Sequence, residues 1–203
     1  MRYNDGSEPS IPLPTALKLL IAGGFGVGKT TFVGAVSEIE PLRTEELITS
    51  ASIGTDNLAG VEQKATTTVA LDFGRITVDR DHILYLFGTP GQERFWFMWD
   101  ELSAGALGAV VLADTRRLQD CFAAVDFFES RGIRFVVAVN EFDGAYKYQA
   151  RDLRAALDLD PAIPIVTCDA RDTRSATGVL IRLVRHLLGN APTPFPTPVG
   201  SPA

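Results

Sequence analysis

Thiols and imidazoles are almost missing from this sequence: its 203 residues include two cysteines, Cys121 and Cys168, and two histidines. Such a chain has no disulfide framework and no structural zinc site, and the two cysteines read as reduced core residues of a cytosolic protein. Long apolar runs are missing as well; none approaches the ~18 residues that a membrane-spanning helix needs. The opening segment, with Arg2, Asn4 and Asp5, has no signal-peptide core. Arg2 is incompatible with N-myristoylation, and the last residues, Gly200 to Ala203, offer no cysteine for prenylation. Positive charge is scarce too. Nineteen Lys and Arg against 25 Asp and Glu leave a net charge of -6, with no basic cluster. That balance speaks against nucleic acid as a partner and against direct binding to anionic lipid. The expectation is a soluble cytoplasmic protein without direct membrane insertion, recruited to a membrane through partners.

What is present is an ordinary globular composition, 46% hydrophobic and 22% charged. Proline is unevenly spread: five of the 12 (Pro192, Pro194, Pro196, Pro198, Pro202) crowd the last residues, and Pro9, Pro12 and Pro14 sit near the start. This predicts a flexible tail over 1–14, one folded domain over 15–189, and a Pro-rich flexible tail over 190–203. Within the domain, short apolar runs alternate with amphipathic stretches. The runs at 17–22, 83–87, 109–113, 135–139 and 163–168 read as strands, several of them buried on both faces of a parallel sheet. A sixth strand covers Val69 to Val78, where a change of parity at Gly74 predicts a β-bulge. Asp79, Arg80 and Asp81 would turn it back onto 83–87 as an antiparallel edge hairpin.

Helical spacing is clear at Leu118, Cys121, Phe122, Val125 and Phe128, and again at Val179, Leu180, Leu183, Val184 and Leu187, before Gly189. A shorter helix spans 151–157. The predicted fold is α/β: a mostly parallel six-stranded sheet with one antiparallel edge hairpin and helices on both faces, its sites at the carboxyl ends of the strands.

The first strand runs into G-G-F-G-V-G-K-T-T, residues 23–31, and then into a helix. This is G-x-x-x-x-G-K-[ST] in the strand–loop–helix context that a phosphate-binding loop requires. Gly23, Gly26, Val27 and Gly28 would turn backbone N–H groups onto phosphate, Lys29 would reach the β- and γ-phosphates, and Thr30 would ligate Mg²⁺, with Thr31 following. The motif predicts binding of a nucleoside di- or triphosphate.

The block after the strand at 83–87, Gly88-Thr89-Pro90-Gly91-Gln92, resembles the D-x-x-G-Q of the small, Ras-like GTPase superfamily. The resemblance implies a Ras-like G domain that binds GTP and GDP. Gly91 would contact the γ-phosphate and Gln92 would orient the attacking water, a catalytic role shared with Lys29 and Thr68. Gly88 stands where the family has the Asp that holds Mg²⁺ through water, so weaker Mg²⁺ affinity is expected, with Thr89 and Asp114 as candidate substitutes. Residues 140–143, N-E-F-D, resemble the family's N-K-x-D. Asp143 would accept two hydrogen bonds from guanine, and Asn140 would tie the base loop to the phosphate loop, while Glu141 replaces the usual Lys. Asp169 and Ala170 stand where the family has S-A-K; Ala170 would offer its N–H to the guanine oxygen. Thr68 matches the switch Thr at the end of a mobile loop over 38–68, and would join Thr30 around Mg²⁺ when the γ-phosphate is present.

The closer resemblance is to bacterial MglA-like GTPases and, among them, the conservon GTP-binding proteins. It rests on the phosphate loop, on T-T-T-V-A-L-D-F-G at 66–74, on L-Y-L-F-G-T-P-G-Q-E-R-F-W-F-M-W at 84–99, on V-A-V-N-E-F-D-G and on C-D-A-R-D. Members of that type also tend to lack the Mg²⁺-associated Asp. Motility-type members carry an arginine just before the switch Thr; here Thr67 stands there, leaving Arg94 as a candidate arginine finger. The resemblance implies a regulatory GTPase of slow turnover acting on a signalling complex, with a roadblock-family protein as partner and a membrane sensor-kinase-like protein in the same assembly. In the aromatic run 95–99, Phe95 and Met98 are expected to face the core, with Leu102 just beyond, and Trp96 or Trp99 to form a partner surface. Two other readings remain open from the residues: a nucleotide-bound pseudo-GTPase scaffold with little hydrolysis, and a P-loop ATPase.

Overall fold

The apolar runs pair into one sheet. In this computed structural model the described residues are 13–40, 42–48 and 67–189, without the side chains of 42–48, 67–70, 93 and 94. The strands are β1 (Thr15–Ala22), β2 (Leu42–Ile48), β3 (Thr67–Thr77), β4 (His82–Gly88), β5 (Gly108–Ala113), β6 (Phe135–Asn140) and β7 (Ile165–Cys168). Their order is β2-β3-β4-β1-β5-β6-β7. β1 runs parallel to both β4 and β5, and β5–β6 and β6–β7 are parallel as well. β2–β3 and β3–β4 are antiparallel. The α/β class and the mostly parallel sheet are as expected. The seventh strand is β2, which falls within the segment read as a switch loop and takes the edge position. The β3–β4 hairpin therefore lies inside the sheet rather than at its edge.

Parallel strands covered on both faces need apolar residues along their length, and β5 and β6 meet that demand up to Asn140 at the end of β6: all of their residues are buried. Along β1 the two faces separate by parity. Leu19 and Ile21 join one core cluster with Phe32, Val33 and Leu183, while Leu20 and Ala22 join the other with Trp99, Phe128 and Phe135. The first layer is closed by α1 (Lys29–Val36) and α5 (Thr173–Leu188). The second is closed by α2 (Trp99–Ser103) and α3 (Phe122–Ser130); α4 (Ala150–Ala156) precedes β7. Burying each of these large side chains contributes about 1.5–3 kcal/mol. Cys121 and Cys168 are free and buried, and burial raises their thiol pKa values to about 12 and about 11, which keeps them unreactive.

The change of parity at Gly74 has a different cause from the one expected. Phe73, Gly74, Arg75, Ile76 and Thr77 pair in unbroken register with Phe87, Leu86, Tyr85, Leu84 and Ile83, so there is no bulge. Both faces of β3 carry apolar residues: Phe73 stacks on Tyr85 on one face, and Ile76 packs against the α1 side of the core on the other. Gly74 lies between them, under α1, where a Cβ would fall 2.7 Å from Val33 Cγ1 and 3.2 Å from Ser37 Cβ. The glycine thus sets how closely α1 packs on the sheet. Gly74→Val should cost about 1–3 kcal/mol by overpacking. Equilibrium urea unfolding would show it as a lowered midpoint with an unchanged slope.

Candidate functional site

β1 ends in the buried Ala22, and the chain then turns three times through glycine before α1 begins. Gly23, Gly26 and Gly28 have φ of 133°, 73° and 104°, a region that side-chain-bearing residues rarely enter. Gly28 caps α1 with no side chain of its own, so the first backbone N–H groups of the helix remain available to an anion. A Cβ at Gly28 would also fall 2.7 Å from Asn140 Nδ2.

The loop opens on a cavity of about 350 Å³ lined by Phe25, Lys29, Thr30, Asp72, Gly91 and Gln92, among others. Lys29 Nζ donates to the carbonyl oxygens of Gly23 (2.8 Å) and Gly24 (2.7 Å). Burial lowers its pKa to about 8, partly offset by the nearby charge of Asp72. An ammonium held this way favours an incoming anion, which would compensate the charge that burial penalises. Gly91 crosses directly over it; a Cβ there would lie 2.6 Å from Lys29 Nζ. Gln92 is half-buried at the mouth of the same cavity.

Asp72 is the residue that sequence reasoning missed as part of this site. Its carboxylate is buried, with 7% of the residue exposed, and Thr30 Oγ1 donates to Oδ2 at 2.6 Å. A Cβ at Gly88 would meet Asp72 Cβ at 3.0 Å and Oδ2 at 3.1 Å. The carboxylate on β3 therefore fills the space that a side chain on β4 would occupy. The two expected substitutes differ in placement. Asp114 is tied to Arg116, whose Nη2 donates to Oδ2 at 2.7 Å, and that contact holds its pKa below the usual carboxylate value. Thr89 does line the cavity, and its buried Oγ1 has no partner among the described residues. One signal for Asp72 was available: a carboxylate sharing the α1-facing side of β3 with Gly74 and Ile76, beside a glycine lacking the family's Asp.

At the carboxyl ends of β6 and β7 the buried Asn140 joins three segments. Its Nδ2 donates to Val27 O at 2.9 Å, and its Oδ1 accepts from Ala170 N at 3.0 Å. The Asp143 carboxylate is exposed beside this junction, 3.5 Å from Arg171 Nη1. Arg171 also pairs with Asp169 at 3.0 Å and lowers that carboxyl's pKa. Glu141 pairs with Lys147 at 3.0 Å. The Arg116 guanidinium lies 4.0 Å from the centre of the Phe142 ring, so the turn after β5 braces the loop that carries Asp143.

Thr31 is exposed on α1. Thr68 lies on β3 opposite Leu47, and its side chain, like that of Arg94, falls outside the described residues, as do residues 49–66 of the expected switch loop. Phe95 is buried as expected. Trp99, however, is core rather than surface. It is 3% exposed, its Nε1 donates to Pro90 O at 3.1 Å, and it packs on Phe127 and Phe128. Trp96 is half-buried, and Phe97 is the exposed aromatic of this stretch at 66%.

Solved structures similar to this one include G domains of FeoB iron transporters. The cytosolic domain of T. maritima FeoB in its GDP form I superposes with a TM-score of 0.60 at 17% identity, covering 86% of this chain and 64% of that one. The chain thus spans less than two thirds of that domain. The T. maritima FeoB G domain alone gives 0.55 at 20% identity, over 88% of this chain and 100% of that one. The FeoB G domain from Methanococcus jannaschii gives 0.57 at 12%, over 85% and 98%. In sequence, an uncharacterized protein of Methanocaldococcus jannaschii, MJ1339, is 31% identical over 129 residues, 63% of this chain and 71% of that protein. Residues 21–190 match the family described as conserved hypothetical ATP binding protein. With the phosphate loop between β1 and α1 at the head of that match, the chain belongs to this P-loop NTPase family and carries it on a G-domain fold.

Proposed function

We propose that the protein is a small regulatory GTPase that binds GTP and GDP with Mg²⁺ and hydrolyses GTP slowly. The observation that carries this reading is the Asn140 junction, which ties the phosphate loop at Val27 to the loops bearing Asp143 and Ala170. A nucleotide with its phosphates on Lys29 and the N-terminus of α1 would reach these loops with its base. There Asp143 would accept from two adjacent donors on guanine, and the Ala170 region would face its carbonyl oxygen. Adenine has no matching donor pair and would leave a carboxylate unpaired, a strong ground for discrimination although the family description speaks of ATP.

The hydroxyl of Thr30 and the carboxylate of Asp72 suit a hard, oxygen-seeking cation, which needs few protein ligands when phosphates supply the rest. Mg²⁺ bound there would neutralise phosphate charge. Asp72 takes over the part of the Asp absent at Gly88, which weighs against a scaffold that has lost its metal. Thr68 is proposed to complete that side of the site, Gln92 to orient water, and Gly91 to contact the terminal phosphate. Gly23, Gly26, Gly28 and Thr31 belong to the phosphate side, and Asp169 braces the base loop. The MglA-like and conservon resemblance adds a roadblock-family partner in a signalling complex, and the exposed Phe97 just beyond Gln92 supports a contact near the switch. Among the described residues no helix is long and apolar enough to cross a membrane.

Competition titrations test the base assignment. Asp143→Ala should weaken GDP binding by about 1–3 kcal/mol, the scale of a lost hydrogen-bonded charge, and leave ADP binding as it was. Asp143→Asn replaces an acceptor by a donor and should move preference from GDP toward xanthosine diphosphate. Unchanged GDP selectivity in both variants contradicts the guanine reading. For the metal, wild-type protein should gain GDP affinity on adding Mg²⁺, and Asp72→Ala should lose most of that gain while keeping its metal-free affinity. Isothermal titration with and without EDTA reads both.

A further inference from the structure

Two adjacent arginines follow β5 and are engaged in different ways. Arg116 clasps Asp114 and stacks on Phe142. Arg117 reaches toward the phosphate loop instead, where its Nη2 donates to Phe25 O at 3.0 Å. The same nitrogen lies 3.6 Å from the point where a Cβ on Gly26 would stand, a space that the glycine leaves open. Asp120 Oδ2 stands 3.6 Å from its Nε, and 47% of the side chain is exposed.

The turn that carries it is fixed. Arg117 N donates to Asp114 O at 2.9 Å, and Asp120 N donates to Arg117 O at 3.0 Å. The turn presses on the phosphate loop so closely that a Cβ at Gly24 would fall 2.5 Å from Asp120 Cβ. A guanidinium is thus held at Phe25 and Gly26, two residues that line the cavity containing Lys29, Thr30 and Gln92.

We propose that Arg117 is an arginine finger supplied in cis, touching the β–γ bridging region of a bound nucleoside triphosphate. This rests on the hydrolytic reading above. A guanidinium has five N–H donors, and the carbonyl of Phe25 occupies one, leaving others for phosphate oxygens. During hydrolysis water forms a new bond to the γ-phosphorus while the bond to the bridging oxygen breaks. The electron pair stays on the nucleoside diphosphate, and the water proton leaves with the inorganic phosphate. Charge therefore develops at the bridging oxygen, beside the Phe25–Gly26 stretch, where a positioned cation is most effective. A mere latch on an exposed carbonyl has no need of a charge beside an open glycine. Arg117 itself does not line that cavity in this structure, so the proposal has its side chain rotate from Phe25 O toward phosphate while the backbone turn stays in place.

The test compares wild type, Arg117→Ala and Arg117→Lys in GDP affinity, in the gain of GDP affinity on adding aluminium fluoride, and in single-turnover GTP hydrolysis. Arg117→Ala should bind GDP within about threefold of wild type, lose the aluminium fluoride gain, and hydrolyse GTP roughly 20- to 30-fold more slowly, the interval between G proteins with and without a cis arginine. Arg117→Lys should keep part of both. Equal rates and equal gains in wild type and Arg117→Ala overturn the assignment while leaving the GTPase reading intact. So does a loss of GDP affinity as large as the loss of rate, or wild type that binds GDP without any gain from aluminium fluoride. If ADP binds and GDP does not, the guanine reading fails, and the same comparison with adenine nucleotides decides Arg117. Protein that takes up neither nucleotide overturns both.

Discussion

A single buried amide holds the site together. Asn140 is 5% exposed, and its side chain bonds both to the phosphate loop and to the segment after β7. Each partner is a backbone group that would cost about 1–3 kcal/mol to leave unpaired. The amide can reach both because β1, β5, β6 and β7 run parallel, so their loops emerge at the same end. Gly28 is part of the same constraint, since only the absence of a Cβ there lets the amide approach. The Val27 and Ala170 segments are thus tied to each other without a ligand, and for the proposed nucleotide site that lowers the ordering cost of binding.

On the phosphate side the charges are arranged around one relocation. The strand pairing brings the Asp72 carboxylate of β3 into the space that a side chain at Gly88 on β4 would fill, and the proposed metal site rests on that placement. Asp72 therefore holds the Thr30 hydroxyl and opposes the desolvation of Lys29 from one position. Lys29 and Gly91 meet so closely that no side chain fits on the loop after β4 at this point. Trp99 ties that loop to the second core layer, because its indole N–H holds the carbonyl of Pro90 while its ring packs on Phe127 and Phe128.

The parallel core was legible because strands covered on both faces must be apolar, and β5 and β6 are so as far as Asn140 at the end of β6. The phosphate loop was legible because its glycine spacing has a steric reason. Three elements were not. β2 (Leu42–Ile48) has four polar residues at its centre and pairs on one side only, so no periodicity marks it; its partner β3 defines it. The parity change at Gly74 recorded close helix packing rather than a bulge, a distinction that depends on α1 lying above the strand. Trp99 was misplaced because the aromatic run is not one helix. Glu93–Met98 form a 3₁₀ turn and α2 starts at Trp99, so the angular phase that a continuous helix would give is lost. Asp72 combined two of these difficulties, since its role appears only when β3 lies beside Gly88.

The central claim is that these loops form one preorganised site for a guanine nucleotide. The most direct measurement is chromatography of the small molecule released when the protein, purified without added nucleotide, is denatured. The account predicts GDP, or GTP with it, in near-stoichiometric amount when Mg²⁺ is kept present throughout. Release of an adenine nucleotide, or of none from protein that then takes up no added GDP, would contradict it.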